Sequence, residues 1–321
     1  MTTFRPTVAP PGRLVRLGVL LDTRNPSSRL REVARMCERA GVDAVWVSDH
    51  RVPAEGGPRL EAWTALTLAG LDTSRVRLGV MLDSALRPPA LLAALAATLD
   101  AARGGRLELG FSAGPGDVVE YVTSVRKLLA RDHVDRTGAD GPREPGPAVA
   151  SARPDGPALS LEVRGAVTVA AALTVADDIV VPAAPMSDLR ASVARIRWEC
   201  AAAGRDPGSL GVAVELPVSI GRTSAEARAR ASVDARFQAI GHPSTAGIFG
   251  TLEQGQDRVI ELAHAGITDL RCVLPDVPDV GDVIAQLTAM VVGTVDVLIP
   301  NSPRSKAPDP PAGWGGRPSR H

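Results

Sequence analysis

Short unbroken apolar runs alternate along the chain with longer stretches whose apolar positions recur at helical spacing, a strand-then-helix rhythm. The first run is 14–21 (LVRLGVLL), followed by the turn residues Asn25-Pro26-Ser27-Ser28 and a predicted helix over 29–40. Leu30, Val33, Ala34 and Cys37 share one face of that helix, and Gly41 is a natural stop. Residues 44–47 (AVWV) are apolar on both faces, as befits a strand covered on both sides. A helix over 61–71, a strand over 76–82 and a third helix follow; Pro88-Pro89 opens that helix, Leu91, Leu95, Thr98 and Ala102 line one face, and Gly104-Gly105 closes it. A strand over 106–111 and a helix over 118–129 complete the first half.

The rhythm then breaks. Residues 131–157 are rich in Pro, Gly, Asp and Arg without a period, which predicts a long loop or lid. It resumes with a strand at 158–163, a helix at 166–175, a short strand at 178–181 and a helix at 187–203 with Leu189, Val193, Ile196 and Cys200 on one side. A strand at 211–220 precedes a helix from Ser224, and Thr251 with Gln254 forms a capping-box pattern at the start of another. A strand at 267–274 and a helix at 280–290 end the series. Eight such units predict an α/β fold, a (β/α)8 TIM barrel, as one domain over 14–292. A flexible segment, 1–13, and a Pro/Gly-rich disordered tail, 293–321, flank it. The first unit carries no GxGxxG, which weakens the doubly wound alternative.

Composition narrows the partners. The 321 residues carry 36 basic and 36 acidic groups, and only 3% are aromatic, so neither a basic face nor a stacking platform for nucleic acid is expected. No apolar run has the length of a membrane span, and residues 1–12 read as no signal peptide, so a cytoplasmic location is expected. Cys37, Cys200 and Cys272 lie far apart in apolar stretches and read as buried reduced thiols. The five histidines show no metal-ligand spacing.

A barrel places its site at the C-terminal ends of its strands. Asp22, Ser48-Asp49-His50, Asp83-Ser84, Ser112 to Asp117, and Arg164-Gly165 stand there. His50 is the prime catalytic candidate, because an imidazole moves protons near neutral pH, with Asp49 beside it to orient it. Gly114-Pro115-Gly116 and Arg164-Gly165 each precede a predicted helix and are candidate phosphate cradles. Glu215 interrupts an apolar strand and must face a polar barrel interior or an accessible strand end. For any one of these residues the ordinary alternative is a polar loop group or a helix cap.

The string 38–50 (ERAGVDAVWVSDH) resembles the second unit of the bacterial luciferase-like oxidoreductases. Similar matches are Glu61-Ala-Trp-Thr-Ala-Leu, Thr73-Ser-Arg-Val-Arg-Leu-Gly79, Arg87-Pro-Pro-Ala-Leu-Leu92, Gly104-Gly-Arg-Leu-Glu-Leu-Gly110, Gly250-Thr-Leu-Glu-Gln and Ala265-Gly-Ile-Thr-Asp-Leu-Arg271. The resemblance implies the same barrel, with FMN or the deazaflavin coenzyme F420 in its mouth. It implies that Asp49 and His50 match the Asp-His of the deazaflavin-dependent sugar-phosphate dehydrogenases, where the histidine lies beside the reacting ring carbon. It implies a non-proline cis peptide at Met81-Leu82 behind the ring, and backbone contacts from Val163-Arg164-Gly165 to the cofactor tail.

The strand-four loop departs from the family's Gly-x-Gly-x-Gly. Ser112 replaces one glycine, and the string at 114–117 (GPGD) resembles the F420-using methylene-tetrahydromethanopterin reductases. With two residues inserted, Asp117 takes the place of that branch's acidic residue and becomes a second proton-transfer candidate; with none, Pro115 does and the acid is lost. Ser112 and Gly114 then join Asp49, Met81, Leu82, Val163, Arg164 and Gly165 as the expected cofactor shell. The resemblance implies an F420-dependent hydride transfer to or from a small molecule or a peptide, with relatives that often dimerise. An FMN-dependent monooxygenase and a barrel retaining only a binding role are the alternatives.

Overall fold

The computed structural model describes residues 8–10, 13–49, 58–113, 117–130, 151–153, 155–165, 167–232, 234, 237 and 246–292. His50, Gly114, Pro115, Gly116, the tail 293–321 and most of the predicted lid, 131–150, lie outside the described residues.

The strands are β1 (Arg16–Leu20), β2 (Ala44–Ser48), β3 (Arg77–Leu82), β4 (Leu107–Phe111), β5 (Ala158–Glu162), β6 (Asp178–Pro182), β7 (Gly211–Ile220), β8 (Ile248–Gly250) and β9 (Asp269–Val273). β1 to β7 pair in parallel, each with the next; β7 pairs with β9, and β9 with β1, which closes an eight-stranded barrel. The helices α1 (Ser27–Ala40), α2 (Ala62–Leu71), α3 (Pro89–Ala102), α4 (Val118–Leu129), α5 (Val169–Leu173), α6 (Met186–Ala202), α7 (Ser224–Ser232), α8 (Leu252–His264) and α9 (Val280–Val292) connect them. β8 was not foreseen: it is only three residues long and pairs with the far end of β7, which is ten residues long and outlasts its partner β9.

Local chemistry explains most element boundaries. Gly41 adopts φ +83° and its N–H returns to the end of α1. The Glu61 carboxylate accepts the Trp63 and Thr64 N–H groups at the start of α2. Thr251 and Gln254 form the expected capping box of α8. The predicted stripes of α1 and α6 are buried as expected.

Two helix expectations need correction. The helix predicted over 166–175 is confined to Val169–Leu173, because the Thr168 hydroxyl caps it by accepting the Ala171 N–H. α3 buries Leu92, Ala93, Ala96, Ala97, Leu99 and Asp100, while Leu91, Thr98 and Ala102 of the predicted face are exposed. Its sequence (PALLAALAATLDAA) has almost no polar residue to mark an outer side, so its spacing could not select a stripe.

Charge fills the base of the barrel. Arg16 of β1 donates to both Glu108 oxygens of β4 at 3.0 and 3.2 Å, a contact between strands that are not neighbours and so one that crosses the interior. Arg77 also binds Glu108. Burial would raise the Glu108 carboxyl, but Arg16 and Arg77 outweigh it and hold the pKa at about 2. Above this layer Arg271 of β9 reaches across to the Ser160 hydroxyl of β5 at 3.0 Å and to the Met81 sulfur of β3 at 3.0 Å. Trp46 fills the centre: an added Cβ at Gly79 would overlap its ring, and one at Gly18 would come within 2.9 Å of it.

Candidate functional site

The interior packing sets the floor of the barrel mouth. Trp46, Ala44 and Met81 form one apolar cluster; Val273, Phe237 and Ala231 form another, and Leu20 at the end of β1 touches both. Phe249 of β8 packs on the second cluster, edge-on to Phe237 at 5.9 Å between ring centres. The floor on the β1, β8 and β9 side is therefore apolar and aromatic, while charge stands above it: Arg24 donates to both Asp22 oxygens at 2.7 to 3.1 Å, and the Asp276 N–H donates to Asp234 Oδ2 at 3.2 Å.

The β2 to β5 side is charged. Asp49 follows β2, and its N–H donates to the Met81 carbonyl at 2.8 Å, which fixes its backbone. Arg87, just before α3, grips its carboxylate as a fork: Nη2 donates to Oδ1 at 3.1 Å and Nη1 to Oδ2. The Asp83 N–H adds a long contact to Oδ2 at 3.4 Å. The Asp49 side chain is 4% exposed and that of Arg87 11%. Arg87 Nη2 also reaches Glu61, the N-cap of α2. Burial would lower the Arg87 pKa, but Asp49 and Glu61 outweigh it and raise it. The Tyr121 hydroxyl of α4 donates to the Arg87 carbonyl at 2.8 Å, and burial pushes that phenol up to about 12.

Beside β4 and β5, the Ser112 N–H and hydroxyl both donate to the Leu82 carbonyl at 3.0 Å. The Ala113 N–H donates to Glu162 Oε2 at 3.3 Å, and Glu162 Oε1 pairs with Arg164 Nε at 3.0 Å. The Val163 N–H donates to the Val180 carbonyl at 3.0 Å. The Arg164 side chain is 61% exposed, and Gly165 holds φ +61° with open space where a Cβ would stand.

Several expected residues thus meet on one rim: Asp49, Met81, Leu82, Ser112, Val163, Arg164 and Gly165. Others stand differently from their sequence reading. Asp117 caps α4, its Oδ1 accepting the Glu120 N–H at 3.0 Å, and is exposed. Arg164-Gly165 does not open a helix, since α5 begins at Val169 and is five residues long. Among the described residues no peptide bond is cis, so the cis bond expected at Met81-Leu82 is absent. β3 instead stays paired with β4 through Leu82 and Phe111, and the Met81 side chain is buried against Gly110 and Arg271. Glu215 lies in register with Arg271, on the interior face of the sheet.

Arg87, Glu162, Trp46, Arg16, Glu108 and Arg271 are the residues that sequence reasoning missed. For Arg16, Glu108 and Arg271 the signal was available, since each is a charge within an apolar strand, the mark that singled out Glu215. Among the described residues no three His, Cys, Asp or Glu side chains are placed to hold a metal ion. None of the described helices is long and apolar enough to cross a membrane.

Comparison with known proteins agrees with the barrel fold. The family pattern described as luciferase-like monooxygenase matches residues 14–267. The 5,10-methylenetetrahydromethanopterin reductase of Methanolobus tindarius is 25% identical over 244 residues, 70% of this chain and 72% of that protein. The F420-dependent hydroxymycolic acid dehydrogenase of Mycobacterium tuberculosis is 27% identical over 257 residues, 70% of this chain and 68% of that protein. The structure of an F420-dependent secondary alcohol dehydrogenase with an F420-acetone adduct superposes with a TM-score of 0.70 at 18% identity, covering 87% of this chain and 99% of the other.

Proposed function

The chain belongs to the luciferase-like monooxygenase family, and from that membership we propose that it is a coenzyme F420-dependent oxidoreductase acting on a small molecule or a peptide. The supporting observation is an apolar floor bordered by charged strand ends. An apolar floor of Leu20, Met81 and Val273 lies beside a charged rim of Asp49, Arg87, Glu162 and Arg164. A planar ring with an apolar face and polar edges suits that division, and the open backbone at Gly165 leaves room beside the rim for a phosphate-bearing tail. Two relatives add weight: one is named as F420-dependent, the other as a methylenetetrahydromethanopterin reductase.

When bound, F420 supplies two-electron hydride chemistry, which leaves the protein to orient the reactants and manage a proton. The Asp49 carboxylate, locked by Arg87, fixes the end of β2. His50, the next residue, is the proposed proton carrier. Arg164 offers an exposed cation for the tail, and Glu162 steadies both Arg164 and the Ala113 amide.

Fluorescence-quenching titrations of the purified protein with F420 and with FMN test this reading. Saturable quenching of F420 with weaker response to FMN is the expected result. Preference for FMN would move the assignment to a monooxygenase, which the family pattern also accommodates. No binding of either would leave a barrel with a different role.

A further inference from the structure

We propose that Arg87 is the positioning residue of the mouth: it sets the place of Asp49, and through Asp49 the cofactor affinity of the site. The inference deepens the functional reading above and rests on it.

The geometry is specific to one guanidinium. Its flat fork spans both oxygens of Asp49, the residue after β2, and also reaches Glu61, the cap of α2. Arg87 therefore ties together the two ends of the β2–α2 connection. Its own position is fixed from three directions. Pro88 and Pro89 follow it and open α3, its carbonyl accepts the Tyr121 hydroxyl, and its side chain is nearly buried. Besides Arg87, the described partner of the Asp49 carboxylate is the long contact from the Asp83 N–H. Without Arg87 that carboxylate, 4% exposed, loses its guanidinium partner and must turn to find another. That turn shifts the side chain and the backbone where β2 meets the mouth.

This role differs from direct contact with the cofactor. If Arg87 acts through Asp49, then removing Arg87 from a protein that already lacks the Asp49 charge does no further harm. If Arg87 touches the cofactor itself, the two losses multiply.

The experiment titrates F420 and FMN into the wild type and into Arg87→Met, Arg87→Lys, Asp49→Asn and the Arg87→Met/Asp49→Asn double variant, with melting temperatures measured alongside. Arg87→Met is expected to weaken the wild type's preferred cofactor by about tenfold or more, since small displacements at a site are costly. Arg87→Lys keeps the charge but not the fork, so it should fall between the two, and it carries the test if Arg87→Met fails to fold. The double variant should bind no worse than the weaker single one. Arg87→Met binding within about twofold of wild type, or multiplied losses in the double variant, overturns the inference and leaves the functional reading standing. A wild type that binds neither cofactor overturns both.

Discussion

The guanidinium of Arg271 lies over the indole of Trp46, its central carbon 3.7 Å from the ring centre. Both side chains are fully buried, and they close the barrel axis beneath the mouth. Arg271 also binds Ser160, Met81 and, at 3.4 Å, Asp269. Arg271→Met keeps much of the volume but strips the buried Asp269 of the nearer of its two guanidinium partners, leaving Arg16 at 3.8 Å. The expected loss is ~3–5 kcal/mol, read from urea unfolding midpoints. A loss below about 1 kcal/mol would show that the stack adds little to stability.

Acid should weaken the fold through Glu108. Its carboxyl is held at about 2 against an ordinary 4.5, so the native state binds this proton less readily than the unfolded chain. The stabilisation is fully present above 4.5 and is lost as the pH falls toward 2. Glu108→Gln should be less stable than wild type at neutral pH, where Arg16 and Arg77 lose their anion, and should show a flatter stability profile across that acid range. Parallel profiles for the two proteins would assign acid sensitivity to other carboxylates.

The barrel was legible because the strands are buried on both faces and the helices end on strong punctuation. Residues 44–47 (AVWV) have no polar position to mislead the reading, and Gly41 and the Thr251–Gln254 capping box act within their own helix ends. Legibility failed where tertiary contacts decide. Nothing local distinguishes the buried Leu92 from the exposed Leu91 in an apolar helix. The three residues of β8 depend on the overhang of β7. At the mouth, Asp49 was visible as a rim residue, but its partner Arg87 is 38 positions away and meets it only after the third strand folds beside the second.

Tyr121 should report the same rim from the alkaline side. It is the sole tyrosine of the chain, which makes its ionisation readable by phenolate absorbance without interference from another phenol. Burial holds it at about 12 against an ordinary 10.0, with Asp49 raising it further and Arg87 opposing. Because the folded value is the higher, its contribution to stability is intact below 10.0 and is lost as the pH rises toward 12. Tyr121→Phe should abolish that part of the alkaline decline. Ionisation at the pH of a free phenol in the folded protein would contradict the burial of this ring.

The cysteines offer a test of the core itself. Cys37, Cys200 and Cys272 are free and buried, on α1, α6 and β9. Burial pushes the Cys37 thiol up to about 12 and raises those of Cys200 and Cys272 as well, so little reactive thiolate is present near neutral pH. A thiol reagent therefore meets two barriers, low thiolate population and lack of access, and both vanish together on unfolding. Native protein should resist labelling, and three thiols should react when urea is added. Labelling that tracks the unfolding curve would mean that the three sites open only with the whole barrel. Early reaction of one thiol, identified by peptide mapping, would instead mark its helix or strand as a region that opens on its own.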